Sequence, residues 1–298
     1  MAMVAGQSAG GAQMPPKRRR YHGAWIARRT LLWVLNLFFL FFFLFPLYWQ
    51  TVTSFRPENE LGTTPIQWFP THLDFSHYYN VFNGPVSFAQ NILNSVIVAT
   101  AATFLSLLIG TFSAYALARL PLPAKRTILV LVIVMVTFPG IALVAALFIF
   151  LRDAHLTNTY WALILPYCAF SLPFAIWVLT SFFRDIPREL SEQAEVDGCT
   201  PLQSLIRVIL PLSMPALVTA GLLIFIGAWN EFLFAYTFID QPSMQTVPVS
   251  IYYFGGLHNL PWGEISAAAE VVSLPIIALV LIFQRGIVQG LTAGSLKG

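Results

Sequence analysis

Charge is scarce in this chain. Only 10% of its 298 residues are Asp, Glu, Lys or Arg, where a soluble chain of this length carries roughly a quarter. That scarcity excludes an ordinary soluble domain, and no nucleic-acid partner is expected. Cysteine is scarce too. Cys168 lies in an apolar run and Cys199 in a polar one, so a disulfide framework is excluded and a bridge between the two is not expected. No Gly-x-x-x-x-Gly-Lys-Ser/Thr run occurs, so the chain has no phosphate cradle of its own. His72 and His77 have no third ligand near them in sequence, and no metal site is expected. What remains is apolar: 57% of residues are hydrophobic, 26 are Phe, and the mean hydropathy is +0.71. A surplus of that size needs lipid as its solvent.

Six apolar runs are long enough to span a bilayer: Thr30–Ser54, Gln90–Ala118, Thr127–Leu151, Thr159–Phe183, Met214–Ile239 and Ile265–Gln284. Each reaches the ~20 residues that a helix needs to cross the hydrocarbon. They predict an all-α integral membrane protein with six transmembrane helices. Pro46, Pro139, Pro166, Pro173 and Pro275 fall inside these runs, which helices in lipid tolerate when neighbours re-satisfy the freed carbonyls. The first run is too long for a signal-peptide core, and the bulky "PLYWQTVTSF" that closes it offers no cleavage site. With the N-terminus in the cytoplasm, only Arg56 and Arg152 of the 16 Lys and Arg fall outside. That bias is the positive-inside pattern of a multi-pass cell-membrane protein with both termini cytoplasmic. Residues 1–29 read as a disordered basic tail lying against anionic lipid. Residues 30–298 read as the transmembrane domain, with its core at 88–285.

Two loops are expected outside. Arg56–Ala89 is rich in turn formers, and its "WFPTHLDFSHYYNVF" is either an interfacial belt with a small amphipathic element or a docking surface. Asp240–Glu264 contains "YYFGGLHNLPWGE". Its glycines, prolines and aromatics suit a re-entrant, gate-like loop and an ordinary interfacial loop equally.

One segment, residues 184–213, is polar where its surroundings are not. Asp185 stands as a helix cap with Pro187 just inside. The helix then runs through Glu189, Glu192 and Glu195 to Asp197, and Gly198 ends it in a left-handed turn. Thr200-Pro201-Leu202-Gln203 restarts it as a capping box. Leu202, Leu205, Ile206 and Ile209 follow as an apolar stripe. A connector is usually short and irregular, whereas an ordered helix–glycine–helix suits a cytoplasmic partner that pushes on it.

Glu192, Ala194 and Gly198, followed by Val208, Leu210 and Pro211, form a pattern that resembles the EAA loop of importer permeases in the ABC transporter superfamily. "AYALARLPLPAKR", "FFRDIPRELSEQAEVDG", "AWNEFLFA" and "FQRGIVQGLTAGSLKG" extend the resemblance to the carbohydrate-uptake subgroup, in its maltose-type second permease subunit. Gln193 departs from the alanine common there. The resemblance implies the type I ABC importer permease fold and a transport subunit rather than an enzyme. It implies a homologous second permease, a dimer of cytoplasmic ATPase subunits that binds the ATP and Mg, and an extracytoplasmic substrate-binding protein that delivers sugar. No cofactor is implied in this chain. Glu192, Ala194, Asp197, Gly198, Leu210 and Pro211 become candidate ATPase-coupling residues. Thr292, Gly294 and Lys297 of the C-terminal run become candidate contacts with the ATPase dimer.

Two carboxylates lie within predicted spans, at a cost of ~2.5–3.5 kcal/mol each on insertion scales. Glu231 and its neighbour Asn230 either line the pathway and meet sugar hydroxyls or tie the fifth span to other helices. Glu270 either lines the pathway or reaches the outer interface. A glycerol-3-phosphate importer would call for Arg or Lys within the spans, and none is there, which favours a neutral di- or oligosaccharide. A secondary transporter would predict inverted repeats, and none is apparent.

Overall fold

The computed structural model describes residues 21–84, 87–255 and 260–293. It divides into two units, residues 1–49 and 50–298. In the first, the described residues form most of helix α1 (Tyr21–Ser54). Every side chain from Trp25 to Leu44 is exposed, and Phe38 stacks on Phe42 and Phe39 on Phe43. An apolar rod with no buried face needs lipid or another subunit around it. The helix begins at Tyr21, so the disordered tail expected over 1–29 is helical over its last residues. The remainder of that tail lies outside the described residues.

The second unit is built on α3 (Phe88–Arg119) and α6 (Trp161–Asp185). Ala99, Ala102, Ser106, Gly110, Ala114 and Ala118 are small buried residues on one face of α3. In lipid, helices are drawn together by close packing, and small residues permit it. At Gly110 the approach is closest: a Cβ would stand 2.9 Å from that of Ala175. Ser106 keeps its hydroxyl satisfied on the Ala102 carbonyl at 2.7 Å.

Among the described residues, four helices are long and apolar enough to cross a membrane, within α1, α3, α6 and α13 (Trp262–Ala293), and bent pairs raise the count to as many as six. The third and fifth spans are not the continuous helices that the sequence predicts. The third is α4 (Lys125–Val136) and α5 (Val144–Asp153), bent by 89°. Pro139 lacks the N–H the helix needs and disfavours helical backbone at the residue before it, and α4 ends at Val136. Helix α10 (Met214–Trp229) has 16 residues. At 1.5 Å per residue it covers about 24 Å, short of the ~30 Å hydrocarbon. The second bent pair joins residues 201–212 to α10 at 79°, and the predicted fifth run is interrupted by a non-helical break at Asn230–Phe232 before α11 (Leu233–Phe238).

Outside, α2 (Ser76–Asn83) is the expected amphipathic element, but its His77 and Val81 point into the protein. His77 meets the Arg56 carbonyl at 2.8 Å. The second external loop holds a helix that the sequence did not reveal, α12 (Val247–Phe254). At the C-terminus, α13 continues to Ala293, and the remainder of the last run lies outside the described residues.

Candidate functional site

The polar segment leaves α6 at Asp185, which is that helix's last residue and not the cap expected of it. Ile186 is extended, Pro187 stands at the cap position, and α7 runs Arg188–Val196. Asp197 closes α7, and Gly198 follows at φ +82°. The capping box forms as expected: the Thr200 hydroxyl accepts from the Gln203 N–H at 3.3 Å, and Gln203 Oε1 accepts from the Thr200 N–H at 2.9 Å. It starts α8 (Pro201–Ser204), which passes through a π turn at Leu205–Ile209 into α9 (Leu210–Leu212). Two opposed faces result. Leu205 and Ile209 are buried in a cluster with Ala114, Tyr115, Ala118, Leu179 and Phe183 of α3 and α6. Leu202 and Ile206, expected on the same buried stripe, are each 52% exposed, and Val196 is 87% exposed. The wide π turn separates them, because it advances fewer degrees per residue than an α-helix does. Alongside, Glu189, Glu192, Gln193, Val196 and Asp197 line a groove of about 500 Å³, while Ala194 is buried on the far side of α7.

Arg119 carries weight that the sequence reading did not give it. Its Nη2 donates to the carbonyls of Phe183 at 2.7 Å and Ile186 at 2.6 Å. A cation there satisfies terminal acceptors of α6 and suits the negative end of its dipole. The end of α3 is thereby fastened to the joint from which α7 departs. A basic residue in the last turn of a helix was the available signal.

Toward the other end, Glu231 is a hub. Its carboxylate accepts from Tyr167 Oη on α6 at 2.6 Å and from the Phe234 and Ala235 N–H groups at 2.8 and 3.2 Å. It thus caps α11 and ties it to α6. Asn230 donates to the Ile226 carbonyl at 2.8 Å and is otherwise exposed. Glu270 takes a different partner: Thr51, near the end of α1, donates to it at 2.5 Å. The two carboxylates are therefore not brought together as one site.

A polar cluster on α3 was missed. Asn91, Asn94 and Ser95 are buried. Asn94 donates to the Ser243 and Gln245 carbonyls, both at 2.9 Å, and accepts from Tyr160 at 2.8 Å. Ser95 accepts from the Val247 N–H at 2.9 Å. These bonds seat the start of α12 on α3. Among the described residues no group of three His, Cys, Asp or Glu could hold a metal ion, and Cys168 and Cys199 are free. Of the C-terminal candidates, α13 includes the backbone of Thr292, while Gly294 and Lys297 lie outside the described residues.

Residues 106–293 match a family described as binding-protein-dependent transport system inner membrane component. Among curated relatives, a sulfoquinovosyl glycerol transport system permease protein of Agrobacterium fabrum is 44% identical over 256 residues, covering 86% of this chain and 89% of its own. A trehalose/maltose transport system permease protein of Thermococcus litoralis is 38% identical over 275 residues, covering 92% of this chain and 98% of its own. Among solved structures, a chain of a bacterial ABC transporter involved in import of the polysaccharide alginate superposes with a TM-score of 0.76. It covers 91% of this chain and 99% of its own at 21% identity, a likeness of fold.

Proposed function

This chain belongs to the binding-protein-dependent transport system inner membrane components, and on that premise we propose that it is one of two permeases in an ATP-driven sugar importer. Members of that family are transport subunits and not enzymes. A partner ATPase supplies the hydrolysis, a substrate-binding protein delivers sugar from outside, and a homologous permease completes the pathway. The N- and C-termini face the cytoplasm. The observation that carries the reading is the two-faced segment after α6. One face, Leu205 and Ile209, is locked into the ends of α3 and α6. The other, Val196, Leu202 and Ile206 beside the acidic groove, is presented outward. A push on the exposed face moves the bundle through the buried one. Glu192, Asp197 and Gly198 shape the face, Ala194 seats α7, and Leu210 and Pro211 lead into α10.

Within this class the substrate is a neutral sugar of two or more units. The relative named for trehalose and maltose points there. The relative named for sulfoquinovosyl glycerol gives a second reading, an anionic glycoside. The absence of Lys and Arg from the six apolar runs disfavours it. Of the cations just beyond them, Arg119 is occupied by carbonyls, Arg152 by Asp153 at 3.0 Å, and Arg56 by the Glu60 carbonyl at 2.7 Å. The test is uptake into proteoliposomes holding this chain with its sister permease, ATPase and binding protein. Disaccharides should enter only when ATP is supplied to the ATPase side. Entry without ATP, or of glycerol phosphate alone, would contradict the reading.

A further inference from the structure

The fifth apolar run, Met214–Ile239, is read from the sequence as a span, and its helix breaks within it. Asn230 is exposed and the backbone from Asn230 to Phe232 is not helical. Within a bilayer such backbone is tolerated only against protein or a water-filled cavity, never against lipid tails. Four aromatic side chains continue directly from that break. Phe232 stacks on Tyr236 with ring centroids 5.3 Å apart and an interplanar angle of 18°. Tyr252 of α12 stands edge-on to both, at 5.5 Å from Phe232 and 5.4 Å from Tyr236. Tyr253 closes the group at 5.6 Å from Tyr252 and 6.1 Å from Tyr236. Tyr236, Tyr252 and Tyr253 are 41%, 56% and 49% exposed. None of the three hydroxyls holds a hydrogen bond among the described residues.

Hydrogen bonds tie down their supports. Helix α11 is capped by Glu231, and the start of α12 is seated on Asn94 and Ser95. Phe232 rests against the buried core, and the three exposed tyrosines gathered around it from two helices form a platform and not a core. Its chemistry is a flat π surface with three free hydroxyls and the Asn230 amide at its edge. No cation is part of it. A pyranose ring matches those terms, with its face of C–H groups for stacking and its rim of hydroxyls for hydrogen bonds. Apolar walls with a few placed polar groups are the usual form of a small-molecule site.

We propose that Phe232, Tyr236, Tyr252 and Tyr253 form a stacking subsite for one pyranose unit of the substrate, on the wall of the pathway. The proposal rests on the sugar-importer reading and names where in this chain the sugar is held. The subsite differs from the carboxylate sites that the sequence suggested, because Glu231 serves it from behind, as the cap of one supporting helix.

The test compares Tyr236→Ala, Tyr252→Ala, Tyr236→Phe and Tyr252→Phe in the complete reconstituted complex, with maltose and trehalose as probes. Each alanine variant should raise the KM for uptake about fivefold, the loss of one aromatic contact, with complex assembly intact. The phenylalanine variants keep the stack and should stay within about twofold of the parent. Parental KM in the alanine variants overturns the proposal and makes the cluster an interfacial belt. Failure of those variants to pair with the sister permease also overturns it and makes the cluster a subunit interface. In both cases the parental complex still imports sugar, so the importer reading survives. A parental complex that imports only a non-carbohydrate solute overturns both.

Discussion

Three donors converge on Glu231, one from Tyr167 and two from the start of α11. A carboxylate has acceptor sites for all three, whereas an amide has one oxygen and would turn N–H against N–H. Glu231→Gln should therefore destabilise the protein by about 1–3 kcal/mol, with sugar preference unaltered. Thermal unfolding of the detergent-solubilised complex measures the first effect and uptake competition the second. Unchanged stability with altered preference would move Glu231 from support to pathway. Gly198 is a different kind of residue. A Cβ there meets nothing within 4 Å, yet φ is +82°. Its requirement is one of backbone conformation alone, so a side chain costs roughly 1–2 kcal/mol in strain without any clash.

At the scale of elements, the joint between α6 and α7 decides whether a push on the segment reaches the bundle. Arg119 holds it by two carbonyls. Arg119→Ala leaves those acceptors unmade at about 1–3 kcal/mol. Such a complex should assemble but lose several-fold in ATP hydrolysis stimulated by loaded binding protein. Arg119→Lys should recover part of that loss, because an ammonium can still reach one carbonyl. Equal stimulation in Arg119→Ala and the parent would show that the joint needs no fastening. The helix–glycine–helix of this segment was legible in the sequence because capping chemistry is local: Thr200, Pro201, Gln203 and Gly198 act within a few residues. The break at Asn230–Phe232 was not legible, because its cap, Glu231, is fixed by Tyr167 from another helix. Helix α12 was hidden for a similar reason, since Asn94 and Ser95, far away in sequence, seat it. Those two and Asn91 did leave a trace. Their spacing puts three polar side chains on one face of an apolar span, a signal that attention to ionisable residues alone passes over.

For the whole molecule, the proposed topology puts α2 and the α7–α9 segment on opposite sides of the membrane. Cysteines introduced singly at Asn83 and at Val196, in a Cys168→Ser, Cys199→Ser background, should label from outside and from inside respectively. Labelling of both from one side would contradict the six-crossing arrangement. The four long helices were plain in the sequence because lipid demands long apolar runs. The third and fifth spans were recognised as spans and misread as straight, because hydropathy records depth and not direction. The central claim is that this chain couples a partner's ATP hydrolysis to sugar passage through the segment broken at Gly198. The most direct measurement is ATP hydrolysis and sugar uptake together, in one reconstituted complex, for Gly198→Val against the parent. A backbone strain of that size leaves membrane insertion and pairing with the sister permease intact while turning α7 away from its partner. Uptake should fall at least tenfold, with hydrolysis lost or no longer responsive to loaded binding protein. Parental uptake, still driven by parental hydrolysis, would make the segment a connector and contradict the account.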